Sequence, residues 1–157
     1  MEPRKTISMH TTAYLKSYRQ IATQTAPPGQ LVLMLFDGAI NFMERALAGF
    51  EQADPKERNQ TIHNNLQRAV DIIRVLNGSL NLEAGGKLAL TLRNLYNYYD
   101  QRIVESNMQK RRDGVTEVIG LMTKLRNAWD TMLANQGQES GLRVEEDEML
   151  LAGTRAA

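Results

Sequence analysis

There is no cysteine anywhere in these 157 residues. Disulfide scaffolds, thiolate metal sites and cysteine nucleophiles are excluded together, and the composition suits a reducing compartment. Histidine is nearly as scarce, with only His10 and His63. A di-iron bundle needs a Glu-x-x-His pair on each of two helices. Gln60 stands three residues before His63, so that chemistry lacks its ligands, and neither a metal nor a cofactor is expected. A surplus of charge is missing too: 19 basic against 18 acidic residues leave a net +1. Proteins that bind nucleic acid by neutralising phosphates carry a basic excess, so nucleic acid is not an expected partner. The densest basic run, Lys110-Arg111-Arg112, sits between two predicted helices and reads as the cap of one, where cations suit the helix dipole. Long apolar runs are absent. The longest strong one, Leu31 to Phe36, falls far short of the ~20 residues that span a bilayer. The first five residues, Met-Glu-Pro-Arg-Lys, lack the apolar core of a secretory signal. The chain is therefore expected in the cytosol, without stable membrane insertion. No P-loop, Gly-x-Ser-x-Gly or paired-carboxylate motif stands out, and a non-enzymatic binding protein is the expectation.

What is present is helical periodicity. Four segments space their apolar residues alternately by three and four. The first, from about Pro28 to Phe50, carries Val32, Phe36, Ala39, Met43, Ala46 and Phe50 on one stripe and Leu33, Ile40 and Leu47 on another. A helix apolar over most of its circumference belongs where neighbours touch it on several sides. Gly38 inside it predicts a close backbone contact with a neighbouring helix, which would offset its cost of about 1 kcal/mol relative to alanine. The second segment is announced by Asp54-Pro55-Lys56-Glu57, with a capping-box spacing and proline at the first helical position. Its stripe is Ile62, Leu66, Ala69, Ile73, Leu76 and Leu80, and Asn77-Gly78 weakens its last turn. The third is expected to follow Gly85-Gly86, with Leu88, Leu92, Leu95, Tyr99 and Ile103. The fourth is expected to begin near Asp113 and to end near Gly137, with Val115, Val118, Met122, Leu125, Trp129 and Met132. The connections are short, so consecutive helices run antiparallel. The predicted class is all-α: an antiparallel four-helix bundle with an additional short N-terminal helical segment over about Thr12–Thr25. Residues 1–11 are expected to be a flexible leader, 12–135 the bundle, and 136–157 a flexible acidic tail built around Glu145-Glu146-Asp147-Glu148.

The helices carry more large apolar residues than a bundle seam needs, since a seam uses about two or three positions in seven. Leu31 to Phe36 point in every direction, Tyr96 and Tyr98 stand beside Tyr99, Val104 beside Ile103, and Ile119 and Leu121 add to the fourth helix. Scattered exposed hydrophobes account for such a surplus in many proteins. A groove that receives an amphipathic helix accounts for it equally. A rival reading is a signalling or scaffold bundle, including histidine phosphotransfer at His63. That chemistry favours a nearby cation and a glycine one turn later, and here Asn64, Asn65, Leu66 and Gln67 follow.

The run Gln30-Leu31-Val32-Leu33-Met34-Leu35-Phe36-Asp37-Gly38-Ala39 resembles the signature of the flagellar secretion chaperone (FliS) family. Ala69-Val70-Asp71-Ile72-Ile73 is similar to that family's second-helix core, and Asn81-Leu82-Glu83-Ala84-Gly85-Gly86 to its Asp/Asn-x-Glu-x-Gly-Gly turn. Leu95-Tyr96-Asn97-Tyr98 with Arg102, Val118-Ile119-Gly120-Leu121 to Ala128-Trp129, and the early Ala13-Tyr14 complete an ordered set over residues 13–133. Ala26-Pro27-Pro28-Gly29 departs from the Ser- or His-Pro entry usual in the family. The leader before Ala13 and the tail after Gly137 look longer than usual. The resemblance implies an export chaperone that binds the disordered C-terminal segment of flagellin in a hydrophobic groove. It thereby prevents premature polymerisation and keeps flagellin secretion-competent. The resemblance also brings in the flagellar export gate as a second partner, and self-association of the chaperone without flagellin. On that reading Leu76, Leu80, Leu92, Tyr96, Tyr99 and Ile103 are candidate groove residues. Tyr14, Leu15, Tyr18 and Ile21 are candidates for a segment docked on or beside the groove.

Overall fold

In the computed structural model residues 28–156 are described, and they form four helices. The segment predicted over 12–25, with Tyr14, Leu15, Tyr18 and Ile21, and the leader before it lie outside the described residues. Helix α1 spans Pro28–Gly49, α2 Pro55–Gly78, α3 Leu82–Gln109 and α4 Asp113–Ala156. No strand occurs among the described residues. Helix α1 packs beside α2 and α4, and α3 also packs beside α2 and α4, so the four close into a ring around one core. The class read from the periodicity, an all-α bundle, is what the structure shows.

Local chemistry sets the helix ends. The Asp54 carboxylate accepts the Glu57 backbone N–H at 3.1 Å, and Pro55 takes the first position of α2, where its missing N–H costs nothing. At the other end Gly78 closes α2, leaving Leu80 in the three-residue connection to α3. Lys110 ends α3 in the left-handed conformation at φ 51°. Its neighbours in the basic run tie down the turn: Arg111 pairs with Asp113 at 3.0 Å and Arg112 with Glu51 in the connection between α1 and α2.

Two expected boundaries are corrected. Helix α3 begins at Leu82, before the Gly85-Gly86 pair, because the Asn81 side chain accepts the Ala84 N–H at 3.1 Å and starts a turn there. The glycines then lie inside the element, and Gly86 breaks its course with φ 54° and ψ −132°. Helix α4 does not stop near Gly137 but runs on to Ala156. No proline follows Pro55 in the sequence, and Leu142, Arg143, Glu145, Glu146, Glu148 and Met149 are good helix formers. From Ala134 onward every described side chain on α4 is exposed, so this extension stands outside the core.

The core joins Phe36, Ala39 and Met43 of α1, Ile62, Leu66, Ile73 and Leu76 of α2, Tyr96, Tyr99 and Ile103 of α3, and Val115, Val118 and Met122 of α4. Around it three ion pairs staple neighbouring helices: Arg74–Asp100 at 2.8 Å, Arg102–Glu117 at 2.7 Å and Arg126–Asp37 at 2.7 Å. Exposed pairs of this kind are worth at most about 1 kcal/mol, so they set register more than stability. Gly38 faces a side chain rather than a backbone: a Cβ there would meet Ile72 Cδ1 at 3.4 Å, ordinary close contact. The tight glycine where α1 meets α2 is Gly49, where a Cβ would stand 2.8 Å from Thr61 of α2.

Candidate binding cleft

Among the described residues the core is left open at the end of the bundle where α1 and α3 begin and α2 ends. A cavity of about 390 Å³ lies there. Leu76 and Leu80 close it on the α2 side, and Ala84, Gly85, Leu88, Ala89, Leu92 and Tyr96 line it from α3. Val32 of α1 and Trp129 of α4 complete the lining. A second hollow of about 450 Å³, lined by Leu31, Val32, Leu35, Val75, Gly78 and Ser79, shares Val32 and Ser79 with the first. The two make an apolar trough across the end of α2.

The back of the cleft is an aromatic group. Phe36 is buried, with the Tyr96 ring 6.4 Å and the Trp129 ring 6.5 Å from its centroid, the latter edge-on. Rings in such arrangements hold one another's orientation. Trp129 is fixed a second time by its indole N–H, which donates to the Gly29 carbonyl oxygen at 3.0 Å. The Tyr96 hydroxyl is pushed up to about 12, mainly by burial and further by Tyr99, and so stays neutral. Polar bonds brace the wall between α2 and α3 behind the cleft. Asn77 donates to Asn97 Oδ1 at 2.8 Å, and Arg93 donates to Asn77 Oδ1 at 3.2 Å. The mouth is greasy: Leu88 is 65% exposed while it lines the cavity.

Of the candidates chosen from sequence, Leu76, Leu80, Leu92 and Tyr96 are brought together here. Tyr99 and Ile103 are not: they sit lower in α3, 2% and 0% exposed, inside the core. Leu88 and Trp129 were visible as members of helical stripes but not as cleft residues, because periodicity marks a face and not where along the face cover ends. Val32, Ala84, Gly85 and Ala89 were missed as cleft residues. The short connection Ser79–Asn81 and the Gly85-Gly86 pair were the signals available. Some of the apolar surplus lies elsewhere: Tyr98 and Val104 are exposed on the outer face of α3, and the Tyr98 hydroxyl donates to Glu117 at 2.6 Å.

His63, the residue of the phosphotransfer reading, is exposed on α2 with its Nδ1 3.0 Å from the Asn107 amide nitrogen. Thirteen residues of helix, about 20 Å at 1.5 Å each, separate it from Leu76 of the cleft. Among the described residues no group of three or more metal-ligating side chains is assembled. No helix among them is long and apolar enough to cross a membrane.

The model of the flagellar protein FliS family matches residues 10–136. The chain belongs to the FliS family. Its FliS relatives include the flagellar secretion chaperone FliS of Salmonella typhimurium, 34% identical over 126 residues that cover 77% of this chain and 90% of that protein. The flagellar secretion chaperone FliS of Escherichia coli is 32% identical over 124 residues, covering 78% and 88%. That of Bacillus subtilis is 31% identical over 123 residues, again covering 78% and 88%. Every cleft residue, from Val32 to Trp129, lies within the FliS match, whereas the α4 extension past residue 136 lies beyond it.

Proposed function

We propose that this chain is an export chaperone that binds the C-terminal segment of flagellin in the apolar trough at the end of the bundle. The observation that carries the reading is the cleft itself: a chain whose relatives are named flagellar secretion chaperones lines a hollow among its described residues with Leu80, Leu88, Leu92 and Trp129. Such a hollow takes an amphipathic helix by anchors spaced i, i+3, i+4 and i+7. The substrate segment is one that, left exposed, would pair with copies of itself through its apolar face. Covering that face keeps the subunit monomeric until export. Wrapping a disordered segment buries about 1,000–3,000 Å² and loses several kcal/mol to ordering, which leaves binding firm yet reversible. The role needs no bond-breaking chemistry, and a cytosolic site of action follows from it. The export gate is a second partner on this reading, to which the loaded chaperone delivers its substrate.

Titration calorimetry of the purified chain with a flagellin C-terminal peptide tests the proposal. Saturable one-to-one binding with a clearly negative heat-capacity change is expected. Absence of saturable binding at every temperature tried would overturn it.

A further inference from the structure

We infer that the first turn of α3, Leu82–Gly85, is a jaw that swings on Gly86 and closes on the segment held in the cleft. The inference rests on the flagellin reading and adds to it the part of the site that moves.

The two adjacent glycines are there for different reasons. A Cβ on Gly85 would stand 2.6 Å from the Ala89 Cβ, so this glycine gives room for close approach. A Cβ on Gly86 would meet nothing within 4 Å, so crowding does not explain that position. What Gly86 supplies is its conformation, φ 54° with ψ −132°, which residues with a side chain do not adopt without strain. It is the one described glycine with positive φ, and it sits where the helix changes course.

The turn ahead of Gly86 is held lightly. Every residue from Asn81 to Leu88 is exposed. The hydrogen bonds that start the turn, Asn81 Oδ1 from the Ala84 N–H at 3.1 Å and Asn81 C=O from the Gly85 N–H at 2.8 Å, are local and travel with it. Segments with few buried contacts open at low free energy while the core stays folded. Yet Ala84 and Gly85 form one wall of the cavity, facing Val32 and Trp129, which the core and the Gly29 bond hold in place. The cleft therefore has one fixed side and one hinged side. With the short connection Ser79–Asn81 at one end and Gly86 at the other, the turn can rotate toward an occupant and narrow the mouth, bringing Ala84 and Gly85 closer to Val32 and Trp129. Such a jaw lets the site accept apolar helices whose side chains differ in bulk.

Hydrogen exchange on the full-length chain, free and saturated with the flagellin C-terminal peptide, tests this. Amides of Leu82–Leu88 are expected to exchange fast in the free protein and to slow by about ten-fold or more with peptide bound, beyond any change at Val104–Met108. The variant Gly86→Ala, which cannot hold the kink, is expected to bind the peptide about ten-fold more weakly. Gly120→Ala, also in open space but on α4, is expected to bind as the parent does. Peptide binding with no slowing at Leu82–Leu88, or with Gly86→Ala at parental affinity, removes the jaw and leaves the flagellin reading standing. No peptide binding by the parent chain removes both.

Discussion

The indole N–H of Trp129 reaches across one hundred residues of sequence to the carbonyl oxygen of Gly29, 3.0 Å away. It thereby ties the start of α1 to α4 at the wall of the cleft. The approach is close in another way: a Cβ on Gly29 would come within 2.5 Å of Leu133 Cδ2. The Val32–Trp129 side of the candidate cleft is thus built by a contact that no local feature of either helix requires.

Replacing Trp129 with phenylalanine keeps a ring against Phe36 and removes the N–H. Chemical denaturation should show a loss of about 1 kcal/mol, the usual worth of one such bond, and calorimetry a weaker hold on the flagellin peptide. A midpoint and an affinity both equal to the parent's would show that the bond does not brace the cleft.

Leu88→Asp and Ile103→Ala separate site from core. Leu88 is mostly exposed, so an aspartate there should change stability by no more than about 0.5 kcal/mol while weakening peptide binding about ten-fold or more. Ile103 is wholly buried, and truncating it should cost roughly 2–5 kcal/mol. If Leu88→Asp bound the peptide as tightly as the parent, the mouth of the cleft would not be part of the site.

Alkaline pH offers a third test. Burial raises the Tyr96 hydroxyl from 10.0 to about 12, and Tyr99 is raised in the same direction by its own burial. A folded pKa above the unfolded one means that the neutral phenol stabilises the fold fully below pH about 10, and that this contribution is lost as pH climbs toward about 12. Unfolding followed by circular dichroism should therefore set in across that window, together with tyrosinate absorbance. Tyr96→Phe should move the transition to higher pH. A transition unmoved by this variant would assign the alkaline instability to another group.

The α4 extension makes a prediction by its exposure. Every described side chain from Ala134 onward faces solvent, so ending the chain after Gln136 should leave the melting temperature within about 2 °C of the parent's. A larger fall would mean that the extension packs on the bundle in solution.

Much of the fold was legible because helical periodicity is a local property. The stripe Ile62, Leu66, Ala69, Ile73, Leu76 is buried as its spacing requires, and Asp54-Pro55 opens α2 where the capping chemistry places it. Boundaries set by competing local signals were less legible. Gly85-Gly86 looked like the gap before α3, but the Asn81 cap starts the helix earlier and a positive φ at Gly86 absorbs the change of course. Gly137 looked like the end of α4, but one unsupported glycine without a following proline does not stop a helix. The groove candidates divided for a similar reason. Tyr96 and Tyr99 stand one turn apart on the same face of α3, and only Tyr96 reaches the cleft.

By itself the sequence determined the class of this protein. Four apolar stripes of helical period joined by short turns give an all-α bundle, because each of those features acts within a few turns of chain. Which end of the bundle stays open was decided only by tertiary structure. That outcome depends on where four helices of unequal length stop covering one another, and on contacts such as Trp129 with Gly29 and Arg126 with Asp37 that join residues far apart in sequence. Periodicity says which face of a helix is apolar; only the packed neighbours say how far along that face the cover extends.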